Sequence, residues 1–212
     1  MKRFLLCLFF LNISSLLAPQ APQTVIVLAP YADPKNPGHT INGTFERGIA
    51  LQFADHLSAE LMTRIPEAQV IIIKPEENQT HLQAASYANR LQPTLVCALS
   101  FYQENSPQPQ IQLYRYTHES DLPLKNRELA LYPYDQAHRL YSIESKQLIQ
   151  NLFDSLQATQ GLHCQAPSAL PIKPLLGIAA PACSIEMGLP KDYAWQTLVE
   201  PLAESIAHAL TH

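Results

Sequence analysis

The stretch Thr24–Leu61, TVIVLAPYADPKNPGHTINGTFERGIALQFADHLSAEL, limits the folds open to this chain more than any other. Val25, Ile26, Val27 and Leu28 form an apolar, mostly β-branched run with no polar residue between them. Such a run is buried on both faces, as strands of a parallel sheet are. A loop rich in Pro, Asp, Asn and Gly follows. Then Ile49, Leu51, Phe53, Ala54, Leu57 and Leu61 recur at helical spacing. This order predicts an α/β unit whose loop lies at the carboxyl end of its strand, where open α/β sheets place their chemistry. The loop exceeds the ~2–6 residues of an ordinary connector. Thr44 is expected to cap the helix, and Glu46 to lie in its first turn, where a carboxylate suits the helix dipole.

The rest of the chain continues the alternation. VIIIK at Val70–Lys74 and PTLVCALS at Pro93–Ser100 read as strands, and His81–Leu91 between them as a helix. IQLYRYT, from Ile111, reads as a strand, and Leu129–Tyr132 as another, in a hairpin or insertion where His118 and His138 are exposed polar residues. Ser142–Leu156 carries a helical stripe of Leu148, Ile149, Leu152, Phe153 and Leu156, and a Pro-rich loop spans Pro167–Pro174. An apolar strand within Leu176–Gly188 precedes a closing helix, Trp195–Leu210.

Lys2 and Arg3, the apolar run Phe4–Leu17 and the small residues Ala18 and Ala21 give Met1–Ala21 the form of a secretory signal peptide. Pro19 and Pro22 obstruct cleavage beside those alanines, so an uncleaved anchor is the alternative, although the run is shorter than the ~20 residues of a spanning helix. The chain is therefore expected in the periplasm or cell envelope. Any membrane contact would come only through an uncleaved N-terminus. Residues 22–212 are expected to form one domain. A net charge of −4 gives no basis for nucleic-acid binding. After Ala21 three cysteines remain, Cys97, Cys164 and Cys183, so at least one is unpaired. Cys97 and Cys183 lie in apolar runs and read as small buried hydrophobes, or as a disulfide if their strands are adjacent. No C-x-x-C pair suggests a cysteine zinc site.

Several of these segments resemble the zinc-dependent N-acetylmuramoyl-L-alanine amidases of the amidase type 3 family, which cleave peptidoglycan. That family opens with a strand, then D-P-G-H-G-G-x-D-P-G, then a Glu starting a helix. Here Pro30, Pro37, Gly38 and Glu46 match, while Ala32 takes the position of the first zinc histidine. Ala88-Asn89 matches an A-N pair, with Asn89 read as capping or bonding a neighbouring loop. The family's third strand ends in S-I-H-x-N, against Ala98, Leu99, Ser100, Phe101 and Tyr102, so Ser100 replaces the second zinc histidine. Pro181, Ala182, Ile185, Glu186 and Gly188 match P-A-x-L-V-E-x-G-F, whose Glu is the family's general base.

The resemblance spans about residues 24–210. It implies a three-layer α/β sandwich, with a central mixed, mostly parallel sheet of about six strands and helices on both faces. It also implies a metal site at Glu46, with Ala32 and Ser100 as degenerate ligand positions, and a catalytic position at Glu186. A catalytic zinc needs a full set of protein ligands plus one open position, and serine is a poor ligand. No G-x-S-x-G elbow surrounds Ser100, so a serine nucleophile is not expected. The leading expectation is an exported, catalytically inactive amidase homologue with no cofactor, binding peptidoglycan fragments or a cell-wall enzyme. The alternative is a divergent zinc amidase whose rearranged site uses Glu46, His39 and Glu186. A third reading is a structural envelope protein whose cleft, flanked by Asp33, is filled by Tyr31 and Phe101.

Overall fold

A computed structural model describes residues 24–118 and 133–211. The expected Leu129–Tyr132 strand and the signal segment lie outside the described residues. In chain order the elements are β1 (Val25–Pro30), β2 (Thr40–Ile41), β3 (Thr44–Phe45), α1 (Glu46–Arg64), β4 (Gln69–Ile72), α2 (His81–Arg90), β5 (Leu95–Gln103), β6 (Gln110–Tyr116), α3 (Ser142–Gln157), β7 (His163–Cys164), β8 (Ser168–Leu170), β9 (Ala182–Leu189) and α4 (Val199–Thr211). A 3-10 segment, Tyr134–Tyr141, leads into α3, and another, Trp195–Leu198, leads into α4.

The sheet runs β4-β1-β5-β9-β6-β7, with β8 also on β6, making seven strands. β4, β1, β5 and β9 are mutually parallel, and β6 turns antiparallel to β9. This is the expected mixed, mostly parallel sheet with helices on both faces. Alternation along each strand builds the two cores. Ile26, Leu28, Leu95, Cys97, Leu99, Phe101, Cys183, Ile185 and Met187 face α1, α3 and α4. Val25, Val27, Val96, Ala98 and Ala182 face Ala85 and Ala88 of α2 and the Leu175–Ala180 segment. Strands buried on both faces have no reason to alternate in polarity, which is why their sequences read as unbroken apolar runs.

Several local expectations need correction. Thr44 does not cap α1: it belongs to the β2–β3 hairpin, and the N-cap Phe45 makes no side-chain cap bond. The free helix amides are met by loop carbonyls instead, Glu46 N–H donating to His39 O at 2.8 Å and Arg47 N–H to Pro37 O at 3.0 Å. The Pro-rich loop contains β8, parallel to β6. His118 is exposed, but His138 is half-buried, its ring 4.2 Å from that of Tyr116. Asn89 bonds a neighbouring loop, donating to Gly177 O at 2.8 Å and accepting from Ala179 N–H at 2.7 Å. Cys97 and Cys183 are register partners on adjacent strands, yet they are free thiols with Sγ atoms 3.6 Å apart. Their mutual hydrogen bond and full burial push the Cys97 thiol well above its ordinary value, and burial takes Cys164 to about 11.

Candidate functional site

The carboxyl ends of β1, β5 and β9 bring most of the singled-out residues to one edge of the sheet. Glu46 begins α1 and is only 3% exposed. Burying a carboxylate is costly unless its oxygens are bonded. Both are: Phe101 N–H donates to Oε1 at 3.0 Å and His39 N–H to Oε2 at 3.1 Å. Glu46 thereby ties the Tyr31–His39 loop to the end of β5. Gly38, at φ +79°, packs so closely that a Cβ there would lie 2.1 Å from Glu46 Oε2. His39 engages Glu46 through its main chain at both its N–H and its carbonyl, and the residue itself is exposed.

Ser100 and Glu186 are direct register partners across β5 and β9, and Glu186 pairs onward with Gln112 on β6. Register and alternation put Ser100, Tyr102, Gln112, Tyr114 and Glu186 on one face. Their side chains form a continuous hydrogen-bonded row. Tyr114 Oη donates toward Glu186 Oε2, 3.1 Å away, and also contacts Gln112 Oε1. Gln112 Nε2 donates to Tyr102 Oη at 3.4 Å, and Tyr102 Oη donates to Glu104 Oε2 at 3.1 Å. The row runs from one carboxylate to another through two phenols and an amide. Burial, then the neighbouring carboxylates, raise both phenols to about 12, with Glu104 dominant at Tyr102 and Glu186 at Tyr114. The amides of Ser106 and Asn105 hold the Glu104 carboxyl below its ordinary value. Gly188 is the register partner of Tyr102, and a Cβ there would lie 2.6 Å from its Oη, so the glycine admits the ring.

Phe101 is not a cleft residue. The alternation that points Ser100 and Tyr102 to the polar face sends Phe101 into the opposite core, where it is 0% exposed. Its ring meets Phe53 edge-on at 5.2 Å. Tyr31 lines a cleft rather than filling one: it is 45% exposed and stacks on His81, centroids 5.9 Å apart. Ala32 is buried beside it. Asp33 lines the same small cleft, of about 70 Å³, with Pro30, Glu76, Gln79 and His81. Asp33 Oδ1 accepts from Asn36 N–H at 2.8 Å and Lys35 N–H at 2.7 Å, and the Asn36 bond is the main reason its carboxyl sits below the usual range.

Among the described residues, no group of three or more His, Cys, Asp or Glu side chains is placed to hold a metal ion. Nor, among those residues, is any helix long and apolar enough to cross a membrane. Sequence reading missed Gln112, Tyr114 and His81. The available signal was period-2 alternation in QIQLYRY, which puts Gln112 and Tyr114 on the face away from Ile111 and Leu113.

No protein-family model and no curated protein matches the sequence. Solved structures do resemble the fold. The N-acetylmuramoyl-L-alanine amidase from Clostridium difficile 630 has a TM-score of 0.62 at 16% identity, over 90% of this chain and 96% of that one. The catalytic domain of CwlV, an N-acetylmuramoyl-L-alanine amidase from Bacillus (Paenibacillus) polymyxa var. colistinus, has a TM-score of 0.61 at 14% identity, over 89% and 96%. Ami1, the amidase from Mycobacterium smegmatis, has a TM-score of 0.59 at 14% identity, over 89% and 95%. At these identities the likeness is one of architecture: this chain has the α/β fold of the N-acetylmuramoyl-L-alanine amidases.

Proposed function

We propose that this chain is an exported, amidase-fold binding protein of the cell envelope, which holds peptidoglycan fragments or a cell-wall enzyme without hydrolysing them. The observation that carries this reading is the state of Glu46, the surviving zinc-ligand position. Both of its oxygens are bonded by the main-chain amides of Phe101 and His39. Ala32 and Ser100 offer no imidazole, and His39 engages Glu46 by its backbone. This donor set does not fit a catalytic zinc. Glu186 remains, but a carboxylate alone does not ionise water near neutral pH, and an unactivated amide resists attack. What persists is a recognition surface: the Glu186–Tyr114–Gln112–Tyr102 row offers carboxylate, hydroxyl and amide groups suited to a polar peptide or glycan. Solved amidases of the same fold and the signal-like Met1–Ala21 support the envelope assignment.

Zinc calorimetry and cosedimentation with purified peptidoglycan test this reading. The expected result is no stoichiometric zinc, retention on peptidoglycan and no release of stem peptides. Near-stoichiometric zinc with peptide release that Glu186→Gln abolishes would replace it with the divergent amidase using Glu46, His39 and Glu186. Absence from the peptidoglycan pellet would leave a protein partner as the ligand to seek.

A further inference from the structure

The candidate site uses none of the chain's thiols, and two of them face each other. Cys97 on β5 and Cys183 on β9 are register partners, both 0% exposed, with Sγ atoms 3.6 Å apart. The backbone sets this approach. Paired strands run ~4.7–4.9 Å apart, inside the ~4.4–6.8 Å that Cα atoms span across a disulfide. Both side chains point to the same face, into the core shared with α1, α3 and α4. Side-chain rotation, without a change of register, brings the sulfurs towards the ~2.05 Å of a bond. Cys164 has no such access. It lies on β7, and β6 stands between β7 and β9 in the sheet. Two strand spacings, roughly 9–10 Å, exceed the ~7 Å limit for a bridge. Among the described residues the cysteines thus divide into one matched pair and one single buried thiol.

The folded core also decides when the pair can react. Disulfide exchange begins from a thiolate that a donor can reach. Neither sulfur meets solvent, and the mutual hydrogen bond, then burial, keep the Cys97 thiol protonated. Exchange therefore takes place while β9 is off β5, and the docking of β9 seals the result. We infer that Cys97 and Cys183 are a disulfide site, oxidised by a disulfide-bearing thiol oxidoreductase or a small-molecule disulfide, and that the bond staples β9 to β5. The Cys97 thiolate attacks one sulfur of the donor disulfide and releases the other as a thiolate. The Cys183 thiolate then attacks the Cys97 sulfur of that mixed disulfide and expels the donor's remaining thiolate. Two electrons pass to the donor, which is reduced to two thiols, and the two protons lost by the cysteines end on its sulfurs. The cysteines lie 86 positions apart, and restraint of the unfolded chain grows with the loop closed. The staple also holds Ser100 beside Glu186, three residues further along both strands. Oxidising compartments supply such donors, so use of the site in the cell rests on the export proposed above.

The test refolds the full chain, unfolded and fully reduced, with and without a mixture of oxidised and reduced glutathione. Free thiols are then blocked with iodoacetamide in denaturant, and the digest is mapped by mass spectrometry. Oxidative refolding should give a linked Cys97–Cys183 peptide with Cys164 alkylated. The thermal midpoint should lie about 10 °C above that of the chain refolded without oxidant, and Cys183→Ala should remove the link and the shift together. The folded dithiol should resist iodoacetamide until denatured. Alkylation of both Cys97 and Cys183 after oxidative refolding, or a link through Cys164, overturns the inference. A linked chain whose midpoint is no higher overturns the staple. Expression from the chain's own N-terminus in a bacterium, mapped after fractionation, tests the parent reading separately. The expected result is a linked pair in the envelope fraction, and an exported chain with both thiols free overturns the inference. A chain retained unlinked in the cytoplasm, while oxidative refolding still gives the link, overturns export and leaves the disulfide site standing.

Discussion

Replacing Gly38 by alanine sets a methyl carbon 2.1 Å from Glu46 Oε2, at a backbone φ of +79° that L side chains resist. Strain and overpacking together should cost about 3 kcal/mol in urea unfolding. Glu46→Gln keeps the shape but turns one oxygen into an amide donor facing another donor, for a loss of about 1–3 kcal/mol. Unchanged midpoints in both variants would mean that Glu46 does not hold the loop. A second residue-scale consequence concerns pH. The folded chain keeps the Tyr102 and Tyr114 protons to about 12, whereas an unfolded phenol releases its proton near 10.0. Between those values the unfolded state binds fewer protons. Their contribution to stability is therefore whole below about pH 10 and is lost as pH rises towards 12. Tyrosinate absorbance should show a late step that Tyr102→Phe and Tyr114→Phe each diminish. A single transition at the ordinary phenol value would refute the hydrogen-bonded row.

At the scale of the element, parity along β5 decides what each residue is for. The resemblance located Ser100 and Glu186 by motif, and their register pairing puts them side by side. It misassigned Phe101, because a motif preserves order but not the face to which a side chain points. Phe101→Ala tests this: removal of a fully buried ring should cost ~3–5 kcal/mol of stability, whereas a cleft residue would cost little. The start of α1 was misread for another reason. Thr44 has the chemistry of a cap, but the β2–β3 hairpin claims it, and carbonyls of Pro37 and His39 reach the helix amides first. Local propensity cannot register a loop that folds back on its own helix. Tyr114 and Gln112 stayed hidden because their place depends on β6 running antiparallel to a strand some seventy residues later.

For the whole molecule, the alternation of apolar runs with amphipathic helices indicated an α/β chain, and the family resemblance supplied the mixed sheet with helices on both faces, which the fold bears out. β1 is apolar throughout and β5 is apolar as far as Leu99, and each helix has one buried stripe. The candidate site was legible only as positions. What those positions do depends on main-chain amides that carry no residue identity, such as those that engage Glu46. Strand order has one further consequence. β9, which follows all the other strands in sequence, is inserted between β5 and β6. Until it arrives, β6 has only the short β7 and β8 for partners and the polar row is split in two. The chain can therefore assemble β4, β1 and β5 early, but it cannot close its sheet while residues 182–189 are still being delivered. If it is threaded across a membrane N-terminus first, its recognition surface forms only after nearly the whole chain has crossed, and until then Cys97 meets the destination compartment as a thiol still without its register partner Cys183.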